Sequence, residues 1–292
     1  MKNNDNKNLL FGVIGDPAAQ SKSPAMHNAA FAELGLPAKY EAFLVKEKDL
    51  DTFMARLRNG EIKGINVTVP HKQNVIPLLD KISPLAKEIG AVNTIVSHNG
   101  ILYGDNTDAH GFLDSLLTET SFKISGKSVL ILGAGGACRA IAYILSTKNP
   151  ASISIANRNS DRAQAMINTF SPLSKNTQWR TTNFPNIEPE LLKKADLLIN
   201  TTSMGLAGNP WSNLDFVKQL SNTTLVADIV YAPRETELLK VCKSNGLSIL
   251  HGDGMLLYQA VRAFEIFTGV NAPVETMRAA LTQALLSSEK KS

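Results

Sequence analysis

The chain has 292 residues, 43% of them apolar and 19% charged, with a formal net charge of +4. A single hydrophobic core stops growing near this length, so two domains are predicted in an ordinary globular protein. The positive charges are scattered instead of clustered, which argues against a nucleic-acid-binding stripe and suits small anionic ligands.

The N-terminus, MKNNDNKN, is polar, and the apolar run LLFGVIG after it is too short for a signal peptide or a bilayer span. That run reads as a strand. SPAMHNAAFAELG reads as a helix, with Ser23 as N-cap, Pro24 at the first helical position and Gly35 at the stop. KYEAFLV is a second strand and DLDTFMARLRNG a second helix, ending at Gly60. In GINVTVPHKQ, Ile65, Val67 and Val69 alternate with Asn66 and Thr68, the pattern of a half-buried strand. It stops at Pro70 and delivers His71 and Lys72 at its end. NVIPLLDKI and PLAKEIG are predicted short helices, and AVNTIVSHNGILYGDNTD a hairpin turning at Asn99-Gly100.

From about residue 109, helices alternate with the short apolar strands SVLILG, SISIANR, ADLLINTTS, LVADIV and SILHG, which predicts a parallel sheet covered on both faces. Helices MLLYQAVRAFEIFTG and APVETMRAALTQALL follow from Met255, and the end, SSEKKS, is expected to fray. Cys138 and Cys242 form neither a C-x-x-C pair nor a metal cluster, so a reduced, cytoplasmic setting without a bound metal is expected.

VLILGAGGACRAIAYIL is a strand, a glycine turn and a helix, with Gly133, Ala134, Gly135, Gly136 and Ala137 at the turn. Glycines let backbone N–H groups approach a pyrophosphate at a helix N-terminus. The third fingerprint position is Cys138, small enough for close helix–strand packing. The alternative is a tight turn with no ligand. The next strand ends in Asn157-Arg158, where an NAD-binding fold places an acid. Arg158 suits the 2′-phosphate of NADP, and Arg162, four residues on, adds a second cation on the same helix face. Both arginines are otherwise solvated surface charges. The strand ADLLINTTSMG ends in Asn200 through Gly205, at the ligand side of such a sheet, so Thr201 is a cofactor candidate. Met204 lies either against a nicotinamide or over core.

Lys72 and Asp108 both stand at element ends facing a predicted cleft, with Ser21, Ser23, Asn66, Thr68 and Asn93 as polar company. A half-desolvated lysine is a proton carrier, and a neighbouring carboxylate holds it. Ser21 and Ser23, before a helix N-terminus, suit a carboxylate; capping explains Ser23 equally and leaves Ser21 without a local task.

The set GDPAAQSKSPAMHN, INVTVPHK, GAVNT, GDNTDAHGF, GAGGACRAI, NRNSDRA, NTTSMG, DIVYAP and GDGMLLYQA, in order over residues 11 to 268, strongly resembles the shikimate dehydrogenases. The resemblance implies an α/β fold: an N-terminal α/β substrate domain, a Rossmann-type doubly wound NADP-binding domain, and C-terminal helices returning to the first. The expected boundaries are 1–108 with 256–292, and 109–255. It implies that Ser21 and Ser23 bind a substrate carboxylate, that Lys72 and Asp108 are the catalytic pair, and that Thr68, Asn93 and Gln259 contact substrate hydroxyls. Tyr231 lies near the substrate, Gly254 lines the nicotinamide side, and Asn157 with Arg158 match NADP-dependent members. Cys138 departs from the commoner Ala, and Ala18-Ala19-Gln20 from a more usual Ile-Ala-His.

The implied reaction is reversible oxidation of shikimate to 3-dehydroshikimate with NADP, in aromatic amino acid biosynthesis, by a cytoplasmic monomer or homodimer with no nucleic-acid or membrane partner. A quinate/shikimate dehydrogenase of broader substrate or cofactor use is the alternative. A methylene-tetrahydrofolate dehydrogenase would have no use for the S-K-S-P serines. A non-catalytic ligand-sensing module would need an output domain, for which the length is expected to leave no room, as for a fused dehydratase.

Overall fold

A computed structural model of the chain describes residues 9–206 and 208–289. The polar MKNNDNKN segment and the last part of SSEKKS lie outside the described residues. Two compact units emerge: Met1–Thr107 with Leu257–Ser292, and Asp108–Leu256. Among the described residues, no helix is long and apolar enough to cross a membrane.

The first unit runs β1 (Leu9–Gly15), α1 (Ser23–Glu33), β2 (Ala38–Leu44), α2 (Leu50–Arg58), β3 (Gly64–Val67), β4 (Lys81–Ile82), α3 (Pro84–Ile89), β5 (Thr94–His98) and β6 (Ile101–Asp105). The described strands form one sheet in the order β2-β1-β3-β5-β6-β4. β1 pairs in parallel with β2 and β3, whereas β5 runs antiparallel to β3 and β6. The β5–β6 hairpin turns where expected, on Asn99 and Gly100 at φ 52° and 81°, the two positive values a type I′ turn requires. On one face Ile14, Ile65, Ile95 and Leu102 pack with Phe53, Met54 and Leu57 of α2.

β3 is shorter and more buried than its alternation implied. Gly64 through Val67 are all buried, while Val69 is 67% exposed beyond the strand end. β3 lies between β1 and β5, with α2 against one face and aromatic side chains on the other. A Cβ on Gly64 would come within 2.6 Å of the Phe267 ring. NVIPLLDKI is a 3-10 turn at Ile76–Leu78 followed by β4, not a helix. Pro77 limits helical bonding there, and Asp80 accepts from the Leu102 N–H at 2.8 Å, drawing the chain to the sheet edge.

The second unit runs α4 (Asp108–Glu119), β7 (Ser128–Leu132), α5 (Gly136–Ser146), β8 (Ser152–Asn157), α6 (Ser160–Phe170), β9 (Gln178–Asn183), α7 (Pro189–Lys194), β10 (Leu197–Asn200), β11 (Leu225–Asp228), α8 (Glu237–Ser244) and β12 (Ser248–Leu250). α9 (Gly252–Thr268) carries the chain back to the first unit, where α10 (Val274–Glu289) packs on α1. The sheet order is β12-β11-β10-β7-β8-β9, with every described pairing parallel. The first strand thus lies centrally and later strands build outward on either side, the doubly wound order, with a ligand crevice at the carboxyl ends of β7 and β10.

β9 escaped the sequence pattern because it is an edge strand whose residues alternate without an apolar run: Gln178, Arg180 and Asn183 are exposed. α9 begins three residues before the expected Met255, at Gly252. Gly252 is confined there because a Cβ would approach the Asp228 and Ile229 carbonyl oxygens at 2.7 and 2.6 Å.

Candidate functional site

In the first unit the polar residues gather at the carboxyl ends of β1 and β3. The chain leaves β3 through Thr68, whose N–H donates to the Ile14 oxygen at 2.9 Å. Thr68 is pressed against Gly15, where a Cβ would sit 2.4 Å from the threonine methyl carbon. After Pro70 the His71 side chain turns inward, fully buried, with Nε2 2.7 Å from the Val45 oxygen. Lys72 follows, half-buried, its carbonyl accepting from the Val92 N–H at 2.8 Å. The inward histidine thereby anchors the lysine.

A buried hydrogen-bonded chain lies behind this rim. The Tyr40 phenol donates to Asn66 Oδ1 at 2.7 Å, and Asn66 Nδ2 donates to the Asn93 oxygen and Thr94 Oγ1. Asn93 Oδ1 accepts from the Thr107 N–H at 2.7 Å, and its Nδ2 donates to Thr107 Oγ1 at 3.0 Å. The polar side chain of Asn66 is therefore engaged inside the unit, contrary to its expected place on the ligand rim. Asn93 is 2% exposed and acts at least in part as a clamp between β5 and the residues before α4. Gln259, on α9, is 8% exposed.

Ser23 is the first residue of α1, and Lys22, not Ser23, occupies the N-cap. The cap-like bond comes from Ser21, whose Oγ accepts from the Ser23 N–H at 3.2 Å. Ser21 therefore has the local task denied to it by sequence, because the turn before α1 brings its hydroxyl back over the helix start. The Ser23 hydroxyl instead lies at the Tyr40 phenol, whose pKa burial pushes well above its usual range against the opposing bonds of Ser23 and Asn66.

The second unit presents the glycine turn. Gly133 adopts φ +105°, and a Cβ there would meet Thr201 Oγ1 at 2.8 Å. Gly135 is the extended N-cap of α5 and faces open space. Thr201 donates to the Leu132 oxygen at 2.7 Å, tying β10 to β7 beside the turn. Ala134 and Ala137 are half-buried at the same turn. Cys138 is fully buried, with its sulfur 3.7 Å from that of Met166; burial pushes its thiol up to about 12.

β8 ends at Asn157, whose Nδ2 donates to the Asn159 oxygen. Arg158 and Arg162 are both exposed. They do not share a helix face: α6 starts at Ser160 with Asn159 as N-cap, so Arg158 belongs to the preceding loop. The Asn159 side chain accepting from the Arg162 N–H at 3.1 Å sets that boundary.

At the ends of β10 and β11, Asn200 donates to Asp228 at 2.9 Å, and Thr236 and the Val230 N–H donate to the same carboxyl group. Burial raises the Asp228 pKa to about 6 against these bonds. Met204 packs on the cluster containing Trp211 and Val217, and its carbonyl accepts from Asn200. Tyr231 is half-buried, and burial raises its phenol pKa. Gly254 packs closely on α4, where a Cβ would press on the Glu119 and Ser115 side chains. Asp108, 5% exposed, begins α4.

Comparison with known proteins now bears on this arrangement. Residues 13–95 match the shikimate dehydrogenase substrate binding domain, 116–245 the shikimate/quinate 5-dehydrogenase family and 252–282 the shikimate 5′-dehydrogenase C-terminal domain. The shikimate dehydrogenase (NADP(+)) of Desulforamulus reducens is 40% identical over 276 residues, 93% of this chain and 94% of that protein. The chain belongs to the shikimate dehydrogenase family. The crystal structure of shikimate dehydrogenase from Aquifex aeolicus is 37% identical, with a TM-score of 0.85 over 96% of this chain and 99% of that one. The Thermus thermophilus enzyme in complex with NADP(H) and shikimate is 34% identical, with a TM-score of 0.84 over 95% and 100%.

As a shikimate dehydrogenase-family fold, the chain has an N-terminal α/β substrate domain, a Rossmann-type doubly wound domain and C-terminal helices returning to the first. Sequence reasoning missed the residues that brace the family motifs: Tyr40, Thr94, Thr107, Asp228 and Thr236. Thr94 and Thr107 stand inside the quoted motifs GAVNT and GDNTDAHGF. Tyr40 carries no local sign of its role, because its partner is 26 positions away.

Proposed function

We propose that this protein is an NADP-dependent shikimate dehydrogenase that reversibly oxidises shikimate to 3-dehydroshikimate in aromatic amino acid biosynthesis. The carrying observation is 40% identity to an enzyme of that name across 93% of the chain. The residues fit the cofactor. Gly133 has a backbone conformation suited to glycine, Gly135 leaves open space at the start of the 11-residue α5, and the loop after β8 offers the exposed Arg158 in place of a carboxylate. Gly133, Ala134, Gly135, Gly136 and Ala137 would hold the pyrophosphate, and Asn157, Arg158 and Arg162 the 2′-phosphate. Thr201, Met204 and Gly254 complete the nicotinamide side. Bound NADP supplies the hydride acceptor.

In this reading residues 1–108 with 256–292 take the substrate and 109–255 the nucleotide. Ser21 and Ser23 bind the carboxylate, and Thr68, Asn93, Gln259 and Tyr231 contact the ring. As the carbon loses hydride, its hydroxyl must lose a proton. Lys72 takes that proton, and Asp108 hydrogen-bonds the same hydroxyl and orients the amine. The enzyme is cytoplasmic and works as a monomer or homodimer, without a nucleic-acid partner.

The test is a matrix of initial rates with shikimate or quinate against NADP or NAD. Shikimate with NADP should be the fastest pair. Comparable quinate turnover would assign the broader enzyme, and absence of turnover in all four pairs would reject the dehydrogenase reading.

A further inference from the structure

The second unit holds a concavity of about 200 Å³ at the end of its sheet away from the glycine turn. Strand register explains its lining. Ser128, Ser152 and Gln178 stand side by side where β7, β8 and β9 begin, and Leu130, Ser154 and Arg180 form the row two residues on. Residues two apart share a sheet face, so both rows point the same way. Ile153 and Ile155 point to the other face and are fully buried. On the hydroxyl side the crossover helix α7 has only 6 residues, about 9 Å of cover at 1.5 Å per residue. It contributes Leu191 and Lys194 to the wall and leaves a cavity where an apolar core would otherwise sit.

Two further observations point to a ligand. Ser154 is 4% exposed and lines the cavity, yet its hydroxyl has no protein hydrogen-bond partner among the described residues. Arg180 and Lys194 are exposed at the rim, and neither joins an ion pair among the described residues. The neighbouring Asp196 does not neutralise them, because it is held by Lys127 Nζ and the Ser128 N–H, each at 2.9 Å.

We propose that this cavity is a second anion site, distinct from the nucleotide loop, that takes a small phosphate monoester. Arg180 and Lys194 meet the charge, and the guanidinium fork matches paired phosphate oxygens. The Ser152 and Ser154 hydroxyls donate to the remaining oxygens. Leu130 and Leu191 pack against a short carbon body.

The experiment uses the full chain saturated with NADP, so that the glycine turn is filled. It is titrated calorimetrically with phenyl phosphate and with inorganic phosphate at constant ionic strength. Phenyl phosphate should bind at one site, and inorganic phosphate should compete for it more weakly. Ser154→Ala and Arg180→Gln should each weaken phenyl phosphate about ten-fold or more, the effect of losing one hydrogen bond to a charged group, with NADP affinity unchanged. Ser154→Ala should unfold at or above the parent's midpoint, since it removes an unpartnered hydroxyl. No binding of phenyl phosphate, or equal binding by the parent and both variants, overturns the proposal.

Discussion

The Tyr40 phenol donates to the side-chain oxygen of Asn66 across a distance of 2.7 Å, and both residues are buried. The bond joins edge strand β2 to the central β3, with β1 between them. It also directs Asn66 inward and sets the phenol beside Ser23. Removing only the hydroxyl, as Tyr40→Phe, leaves a buried amide oxygen without its donor, which costs about 1–3 kcal/mol. Urea unfolding should show that loss. The KM for shikimate should rise more than kcat falls, because Ser23 loses its partner while the proton-transfer groups remain. An unchanged unfolding midpoint contradicts the structural role.

Lys72 carries the proton in the proposed reaction. General acid–base groups contribute about 10²–10⁴ in rate, so Lys72→Ala should lower kcat by at least that range. NADP affinity, read by fluorescence titration, should stay nearly constant. Near-parental turnover would remove Lys72 from the mechanism.

In the proposed function, cofactor choice rests on Arg158, exposed in the loop after β8. Arg158→Gln would delete the proposed charge-assisted contact to the 2′-phosphate and should lower kcat/KM for NADP about ten-fold or more. The value for NAD should hardly move. A parallel fall with both cofactors would place the effect in the loop's structure instead of in phosphate recognition.

His27 is fully buried, stacked 4.2 Å from Tyr40, with neither ring nitrogen bonded to the protein. Burial lowers its pKa from 6.5 to about 3. Between those values the folded chain binds fewer protons than the unfolded chain, so the stability linked to neutral His27 is present above pH 6.5 and is lost as pH falls toward 3. In His27→Leu this dependence disappears. The stability gap between parent and variant should shift by ~2 kcal/mol in the variant's favour between about pH 7 and pH 5. A gap independent of pH, measured by denaturant unfolding, rules this out.

Much of the architecture is written in short-range signals. Asn99-Gly100 specifies a turn because both residues tolerate positive φ, and a strand, glycine turn and helix follow one another from Val129 to Ser146. Local pattern failed where neighbours in space overrode it. β3 alternates in sequence but is covered on both faces, and β9 is a strand without an apolar run because its edge is solvated. Arg158 and Arg162 stand four apart, yet Asn159 starts the helix between them.

From the sequence alone came most elements around the site, the missing acid after β8 and the placement of Lys72 just beyond a strand, since these depend on backbone preferences and residue types within a few positions. Hydrogen-bond partners are another matter: Asn66 meets Tyr40 from 26 positions away, and Asn200 meets Asp228 from 28. Whether a polar side chain faces a ligand or is spent inside the fold was therefore decided only when distant strands came into register. The same registration lined up Ser128, Ser152 and Ser154 beneath a helix too short to cover them.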